Sequence, residues 1–314
     1  MPKFLVVGDA TVDQMYFVNE FPEPGGEVSA VRAVLEPGGS GGTVATVLAR
    51  LGNDVRIATR VGTGPFADLA LRNMKHAGVD LRLVQRDEVH QTSSVTLIVT
   101  PDAQRTMISA AGASRYLDSA ALRLEDVADR DALVLSAYSL VGGRQKEYAL
   151  RALELAREHR LTVFVDLGTS AVNALGRRLL DHVAEADYLL MNEYELYAIT
   201  GESTITAAVK SLREAGVENL VVKVGENGSI LFTSELSELV EAHDVDGVVD
   251  STGAGDYYTA AFAHAVMSGY DLLTAARMAN VAGALNTQKV GAQSVVFDAR
   301  ALEEAGAALA TAPA

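Results

Sequence analysis

Short runs of apolar residues, each bounded by polar residues or glycine, alternate along the chain with longer segments of helical periodicity. Such runs suit strands buried on both faces, and they lie at Phe4–Val7, Val55–Thr59, Ala132–Leu135, Thr162–Val165, Tyr188–Met191 and Leu220–Val224. Helical patterns occupy Thr43–Leu51, Phe66–Ala77, Gly143–His159, Thr206–Ala215 and Gly253–Ser268. The alternation predicts an α/β fold with a mostly parallel sheet and helices on both of its faces.

Two stretches depart from this rhythm and predict a small β-flap. Glu27–Leu35 alternates with the two-residue period of a half-exposed strand. Ser93–Thr100 and Arg105–Ala110 form a second pair, separated by the turn-like segment Pro101–Gln104. The flap strands would come from about residues 14–36 and 93–110. We expect them to stand off the main sheet as a lid; an antiparallel extension at the sheet edge is the alternative.

Composition narrows the class of function. The 314 residues are 49% hydrophobic and 21% charged, which is enough chain for one large core over residues 1–314, with a frayed end after Leu309. Acidic residues number 41 against 26 basic ones, without a dense basic run, so neither a nucleic-acid partner nor an anionic membrane is expected. The absence of cysteine excludes disulfides and thiolate chemistry. Without a signal-peptide core or an apolar span of roughly 20 residues, a cytoplasmic protein is expected.

The strongest local signal is a glycine-rich turn that opens directly into a helix. Gly253–Gly255 precedes the apolar-periodic segment Tyr257–Met267, so unpaired backbone N–H groups and the helix dipole would form an anion site there. Within this turn, Asp256 could accept a proton from an attacking hydroxyl. Asp250 could hold a cation or end a strand. The alternative is a structural turn with an ordinary capping aspartate.

Other phosphate-binding motifs are missing. The sequence contains no G-x-x-x-x-G-K-[ST], which excludes a P-loop enzyme. The turn Gly8–Asp13 lacks the second and third glycines of a dinucleotide site, and protein-kinase H-R-D and D-F-G patterns are absent.

A second glycine cluster, Pro37–Thr43, leads into a helix that ends in Arg50-Leu51-Gly52. Backbone without side chains can approach a polyhydroxylated ligand closely, although a flexible hinge is the alternative. Asp9 and Asp13 follow the first strand, and ligands of open α/β sheets bind at such carboxyl ends. These carboxylates could accept hydrogen bonds from two sugar hydroxyls.

These segments resemble the motifs of the ribokinase (PfkB) family of carbohydrate kinases. Val249–Tyr258 resembles the C-terminal signature of that family, and Gly38–Gly52 resembles its N-terminal Gly-Gly motif. Further resemblances follow in order along nearly the whole chain, at Val61–Phe66, Ala77–Asp80, Ala186–Tyr188, Asn192–Glu195, Leu220–Gly228 and Asn280–Gly283. The resemblance implies a single ribokinase-like three-layer α/β/α sandwich with a β-flap. It also implies an ATP-dependent kinase acting on a hydroxyl of a small sugar, similar to ribose, fructose or 2-keto-3-deoxygluconate.

The resemblance implies a catalytic role for the glycine-rich turn. Asp256 would be the general base, and the amides of Gly253, Ala254 and Gly255 would form the anion hole for the transferring phosphoryl group. With an ordinary pKa of about 3.9, such an aspartate would be ionised at neutral pH without special tuning.

Cofactor and ion sites are implied in the same way. Asn192 and Glu195 would orient Mg²⁺ through water, the alternative being a helix cap. The residues on the ATP side would be Asn192, Lys223, Gly225, Gly228 and Asn280, although Lys223 could equally be a solvated lysine. A monovalent cation, K⁺, would be held next to the anion hole by Asp250, Thr252 and Ser294.

The sequence does not decide which acceptor such a kinase would phosphorylate. Asp13, Gly38 and Gly39 fit sugar recognition, but Thr43 stands where the family usually has asparagine, so one substrate contact is lost or rebuilt. A contact of this type contributes on the order of 1 kcal/mol. A small unphosphorylated sugar is preferred.

Three other acceptor or ligand classes stay as alternatives. A phosphosugar would need arginines near the sugar, and Arg32, Arg105 and Arg115 lie in or near the flap. A nucleoside such as adenosine or pseudouridine could stack on Tyr16 and Phe17. A non-catalytic sugar or nucleoside sensor would keep the fold without the activity.

A homodimer through the flap is plausible because of the apolar residues Val28, Val31, Val34 and Leu35.

Overall fold

The computed structural model describes residues 1–101 and 105–310, so most of the predicted turn Pro101–Gln104 and the last residues of the predicted frayed end lie outside the described residues. Its strands are β1 (Lys3–Val7), β2 (Thr11–Val18), β3 (Ala30–Gly38), β4 (Asp54–Val61), β5 (Asp80–Arg86), β6 (Ser94–Val99), β7 (Arg105–Ala110), β8 (Ala132–Ser136), β9 (Thr162–Asp166), β10 (Tyr188–Asn192), β11 (Leu220–Lys223), β12 (Ser229–Phe232) and β13 (Ser237–Val240). Its α-helices are α1 (Ser40–Arg50), α2 (Pro65–Ala77), α3 (Gly143–Glu158), α4 (Thr169–Leu175), α5 (Leu180–Val183), α6 (Glu193–Thr200), α7 (Ile205–Glu214), α8 (Ala254–Met267), α9 (Leu272–Asn286) and α10 (Ala299–Ala310). In the described part of the chain, none of the helices is long and apolar enough to cross a membrane.

Nine strands form the main sheet, in the order β13-β12-β11-β10-β9-β8-β1-β4-β5. Neighbours from β5 to β11 pair in parallel, whereas β12 and β13 continue the sheet in antiparallel pairing. All the strands predicted from apolar runs lie in the parallel part, which confirms the mostly parallel sheet. The patterns did not predict β5, β12 and β13, because these strands at or next to the edges of the sheet are only partly buried and contain at most three consecutive apolar residues.

Alternate side chains of the sheet enter two separate cores. In β1, Phe4 and Val6 pack into the core formed with α1, α2, α8, α9 and α10. Leu5 and Val7 pack into the other core, with α3 to α7. Full burial of each such side chain stabilises the fold by roughly 1.5–3 kcal/mol. The result is the predicted three-layer α/β/α sandwich.

A second, separate sheet has the strand order β3-β2-β6-β7, and we call this sheet the lid. The prediction of a small flap is therefore confirmed, and the alternative of an extension at the edge of the main sheet is wrong. The lid strands differ from the predicted bounds: β2 begins already at Thr11, and β3 covers Ala30–Gly38 instead of Glu27–Leu35. β3 extends beyond the predicted end because Gly38, the first glycine of the second cluster, pairs with Thr11.

The parallel strands place polar side chains at one edge of the main sheet. Asp9 follows β1, whereas Ser136, Asp166, Asn192 and Lys223 are the last residues of β8, β9, β10 and β11. Ligands of open α/β sheets bind outside these carboxyl ends. The functional site is therefore to be sought at this edge, where residues far apart in sequence come together.

Candidate active site

A cavity of about 630 Å³ lies between the lid and the carboxyl ends of the parallel strands. The lid contributes Asp13 and apolar side chains such as Leu97 and Met107, and the sandwich contributes Asp9 and Asp256. This volume is in the range of small-molecule sites. The fold thus brings the predicted base and the predicted sugar-binding aspartate to one cavity.

The glycine-rich turn adopts a backbone conformation that requires glycine. Gly253 precedes α8 with φ of 82°, and a Cβ there would lie 2.7 Å from the carbonyl oxygen of Ala292. The turn therefore packs directly against the loop around Ala292, and both Gly253 and Ala292 line the cavity. Of the three predicted donors, the Ala254 amide already donates to the carbonyl oxygen of Ser251 at 3.2 Å.

Asp256 lies in the first turn of α8 and lines the same cavity. Burial, with a further contribution from the Asp166 carboxylate, raises the pKa of Asp256 to about 7. A hydrogen bond from Ser40 and the ammonium of Lys223 act in the opposite direction. The expectation of an untuned carboxylate is therefore wrong, because the fold removes this side chain from water. A pKa near the operating pH suits a general base.

Lys223 lies behind the glycine-rich turn. Its Nζ donates to Asp166 Oδ1 at 2.7 Å, and a Cβ on Gly255 would lie 3.4 Å from the same nitrogen. Asp166 Oδ2 accepts from the Thr259 hydroxyl at 2.9 Å, so the carboxylate is held from two sides. Burial alone would lower the pKa of Lys223, but Asp166 and neighbouring carboxylates outweigh burial and raise it. Lys223 is thus a paired, largely buried cation and not a solvated lysine.

The predicted sugar-binding residues meet at the start of α1. A Cβ on Gly38 would lie 2.3 Å from the Asp13 carboxylate, and Gly39 has φ of 84° beside the Asp9 backbone. The Thr11 hydroxyl donates to Asp13 Oδ1 at 2.9 Å. Burial, with smaller contributions from the nearby Asp9 and Asp250 carboxylates, raises the pKa of Asp13 to about 7 despite this hydrogen bond.

Thr43 is placed differently from the other members of this cluster. Its side chain is fully buried in α1, and its hydroxyl accepts from Gln293 Nε2 at 3.3 Å. It does not belong to the residues that line the cavity. The hydroxyl joins α1 to the loop beside the anion hole.

Asn192 and Glu195 form a reciprocal helix cap. Asn192 Oδ1 accepts from the Glu195 amide at 2.8 Å, and Glu195 Oε2 accepts from the Asn192 amide at 3.0 Å. Glu195 Oε1 accepts from the hydroxyl of Thr169, which lines the cavity. The capping alternative is therefore correct for the geometry of α6. It leaves room for a second role, because each carboxylate oxygen keeps a lone pair.

The remaining residues predicted for ATP lie around the antiparallel end of the main sheet. Gly225 and Gly228 both have positive φ, and a Cβ on Gly228 would lie 2.1 Å from the carbonyl oxygen of Val240. Asn280 Nδ2 donates to the carbonyl oxygens of Val240 and Glu241, both at 2.9 Å. Asn280 therefore fastens α9 to the end of β13. None of Gly225, Gly228 and Asn280 lines the large cavity.

The residues predicted to hold K⁺ come together, but an arginine from the lid is already among them. Asp250 Oδ1 accepts from the amide and the hydroxyl of Thr252 and from Arg105 Nη1, whereas Oδ2 accepts from the Gly291 amide. The Ser294 hydroxyl donates to a backbone carbonyl of its own turn at 2.6 Å. This set of oxygens therefore does not fit a K⁺ ion, because the Arg105 guanidinium already places a positive charge against Asp250 Oδ1 and Thr252 Oγ1, where it would repel a second cation.

The family model of the pfkB family carbohydrate kinases matches residues 1–299 of the chain. The chain belongs to this family. Relatives include a deoxyribokinase of Salmonella typhi, 28% identical over 297 residues that cover 92% of this chain and 94% of the relative. A ribokinase of Staphylococcus aureus is 26% identical over 303 residues, with coverages of 94% and 96%. A nucleoside kinase of Methanothermobacter thermautotrophicus is 28% identical over 299 residues, with coverages of 94% and 92%.

A solved structure has the same fold. The ribokinase of Arabidopsis thaliana, in complex with ribose and ATP, superposes with a TM-score of 0.83 at 25% identity, over 97% of this chain and 98% of that one. This pfkB family protein is therefore a phosphotransferase, a sugar or nucleoside kinase of a family that uses ATP.

In this pfkB kinase, the sequence patterns missed one functional residue and misjudged another. Asp166 was not singled out, although it is the polar residue that ends the predicted strand Thr162–Val165, and such positions meet at the ligand-binding edge. Arg105 was a candidate for binding a phosphate group of the substrate, but it forms an ion pair with Asp250 instead. No local pattern could have indicated that pairing, because the two residues meet only when the lid folds over the sandwich.

Proposed function

We propose that the protein transfers the γ-phosphoryl group of ATP to a hydroxyl of a small, unphosphorylated sugar. The observation that carries the proposal is that Asp256 and the amino end of α8 open into the same lid-covered cavity as Asp9 and Asp13. A base and an anion hole thus face carboxylates suited to sugar hydroxyls. Phosphoryl transfer requires chiefly such positioning and charge stabilisation.

The reaction would use Asp256 as the base and the turn before it as the anion hole. The ionised carboxylate of Asp256 accepts the proton of the acceptor hydroxyl as the oxygen of that hydroxyl bonds to the γ-phosphorus. The bond from the γ-phosphorus to the bridging oxygen breaks, and ADP leaves with that oxygen. The amides of Gly253 and Gly255 stabilise the negative charge of the transferring group, and the ammonium of Lys223 behind them adds a fixed positive charge.

Nucleotide and metal would bind next to this turn. The positive-φ turn of Gly225 and Gly228 and the Asn280 amide shape the nucleotide side. Within residues 1–101 and 105–310, no three His, Asp or Glu side chains form a direct metal cluster. Glu195 and Asn192 fit an outer-sphere role toward a hydrated Mg²⁺, which would neutralise the phosphate charge.

On the acceptor side, Asp9 and Asp13 would accept hydrogen bonds from adjacent hydroxyls of the sugar. Burial raises the pKa of both carboxyls, because it removes the water that would stabilise their ionised forms. Hydroxyl groups of the sugar would donate hydrogen bonds in place of that water and so favour the ionised forms. Leu97 and Met107 of the lid would cover the carbon skeleton and exclude water, which is a competing acceptor of the phosphoryl group.

One observation favours a second acceptor class, a sugar that already carries a phosphate. Of the three arginines considered, Arg115 alone lines the large cavity. Arg105 is bonded to Asp250, and Arg32 lies over the ring of Phe17 with 5.2 Å from its guanidinium carbon to the ring centroid. A phosphosugar would therefore pair with Arg115. Tyr16 and Phe17, the two candidates for stacking a nucleoside base, do not line the large cavity.

We also propose that the lid mediates a homodimer. Its exposed side chains include Val31, which is 67% exposed, and Ile108, which is 61% exposed. Leu35 adds further exposed apolar surface to the same sheet. Exposed apolar surface of this kind typically marks an interaction site.

The direct experiment is ADP release from Mg²⁺-ATP with a panel of acceptors: ribose, deoxyribose, fructose, 2-keto-3-deoxygluconate, hexose monophosphates, ribose 1-phosphate, adenosine and pseudouridine. We expect turnover with one of the unphosphorylated sugars. Preference for a phosphorylated acceptor, abolished by Arg115→Ala, would support the second class instead. ATP binding without ADP release from any acceptor would contradict the proposal and indicate a sensor.

A further inference from the structure

Arg105, the first residue of lid strand β7, reaches across to the loop that leads into the anion hole. Its Nη1 donates to Thr252 Oγ1 at 2.8 Å and to Asp250 Oδ1 at 3.2 Å, and its Nη2 donates to Ser251 Oγ at 2.5 Å. The Asp250 side chain is only 8% exposed in this pair. A cationic group of the protein therefore lies where the resemblance to ribokinases implied a free ion.

Asp250 already has a cationic partner, and the other groups predicted to hold K⁺ take part in hydrogen bonds within the protein. Such an ion is held by several oxygens that replace its hydration shell. The Thr252 carbonyl accepts from Asn286 Nδ2 at 2.7 Å, and the hydrogen bonds of Asp250 and Ser294 are described above. Among these groups in the described part of the chain, Asn286 Oδ1 is the buried oxygen without a partner, and one neutral oxygen does not hold K⁺.

We propose that Arg105 is a positioning residue whose guanidinium takes the place of the monovalent cation, so that phosphoryl transfer in this protein does not depend on K⁺. This inference rests on the proposed function of the anion hole. The guanidinium is always charged and presents several fixed donors, which suits the carboxylate and two hydroxyls that it contacts. It thereby orients the residues Asp250–Thr252 directly before Gly253.

The same contact couples the lid to the chemistry. Arg105 belongs to the lid, whereas Asp250 and Thr252 belong to the loop before α8. Met107, two residues further along β7, lines the cavity. The contact therefore links the lid wall of the cavity directly to the loop before the anion hole.

The test compares the wild type with Arg105→Ala and Arg105→Lys. Arg32→Ala is the matched control, because Arg32 is a lid arginine that contacts an aromatic ring instead of the loop. Turnover is measured with the acceptor found in the panel, in KCl and in tetramethylammonium chloride of equal ionic strength. We expect equal rates for the wild type and for Arg32→Ala in both salts. Arg105→Ala should lose about tenfold or more in tetramethylammonium and recover in part with K⁺ or guanidinium ions.

A wild type that needs K⁺, or an Arg105→Ala variant that behaves like Arg32→Ala, would overturn the inference. Hydrogen exchange of the β7 amides gives a readout that is independent of turnover. Exchange should be faster in Arg105→Ala than in Arg32→Ala, and equal exchange would refute the contact with the loop. If no acceptor is phosphorylated, the proposed function fails, while the exchange data still decide whether Arg105 holds the lid.

Discussion

At the scale of single residues, the site is defined by three carboxyl groups withdrawn from water. Asp9, Asp13 and Asp256 line one cavity, and burial is the largest cause that raises the pKa of each. Each ionised group makes ionisation of the others harder. The site is therefore suited to hydroxyl donors and to phosphate-bound cations, and under the proposed mechanism the protonation state of the aspartates controls the rate.

The pH dependence of kcat/KM follows from the pKa values of about 7 for Asp256 and Asp13. Both groups act in their ionised forms, so activity should rise as the pH increases from 6 toward 8 and then level off. Below pH 7, kcat/KM should fall by between about tenfold and a hundredfold for each pH unit, because two groups titrate together. Initial rates in buffers of constant ionic strength would measure it.

Asp13→Asn serves as the control for this profile. With one titrating group removed, the slope below pH 7 should fall to about tenfold per pH unit, even though the acceptor binds more weakly. A flat profile between pH 6 and 8 in the wild type would show that neither carboxyl titrates where the account places it.

Residue identity could be predicted from sequence more readily than residue chemistry. The pattern Gly-x-Gly-Asp before a helical segment indicated Asp256 and Gly253, and both residues line the cavity. The raised pKa of Asp256 could not be predicted, because it arises from burial and from Asp166, which lies at the end of β9, far from Asp256 in sequence. The same holds for the pairing of Arg105 with Asp250, which is a contact between the lid and the loop before α8.

At the scale of elements, the amino end of α8 depends on one glycine. Gly253 has φ of 82°, and a side chain there would also collide with the Ala292 backbone. Gly78, at the end of α2, has a similar φ of 81° with open space around it. An alanine at Gly78 would therefore suffer only the backbone strain of a left-handed residue. An alanine at Gly253 would suffer the same strain and also a collision with the Ala292 backbone.

Gly253→Ala should destabilise the protein by about 3 kcal/mol and lower kcat about a hundredfold, because the loop and its amides must move. Gly78→Ala should cost about 1 kcal/mol from backbone strain alone and leave kcat unchanged. Denaturant unfolding and steady-state kinetics measure both effects. Equal kcat values for the two variants would contradict an anion hole at Gly253.

Elements with strong periodicity could be predicted, and edge elements could not. The buried parallel strands can be recognised in the sequence as apolar runs, as in Phe4–Val7 and Ala132–Leu135. The partly exposed strands β12 and β13 have only four residues each and are held by pairing with β11 and with each other. Their formation depends on a neighbour that local sequence does not reveal.

At the scale of the whole molecule, the lid and the sandwich form one site between two sheets. The lid covers the carboxyl ends of the parallel strands, contributes the cavity wall and contacts the loop before α8 through Arg105. Its exposed apolar side chains offer a surface for a second copy of the chain. The position of the lid on the sandwich is a tertiary feature, which the sequence indicated only as a break in the strand–helix rhythm.

The dimer proposal is tested by Val31→Glu and Ile108→Glu, which place a charge on the exposed lid surface. Sedimentation should give a dimer for the wild type and a monomer for both variants, since burying an unpaired carboxylate in an interface is costly. Val89→Glu is the control, because Val89 is 84% exposed outside the lid. A monomeric wild type at every concentration would contradict a lid-mediated dimer.

The central claim is that Asp256 removes the proton from the acceptor hydroxyl, and Asp256→Asn tests it most directly. Single-turnover phosphorylation of the acceptor found in the panel should slow by about two orders of magnitude or more, while the affinity for Mg²⁺-ATP stays close to that of the wild type. Asparagine keeps the size of the side chain and removes its capacity to take a proton. Near-normal turnover in this variant would contradict the account.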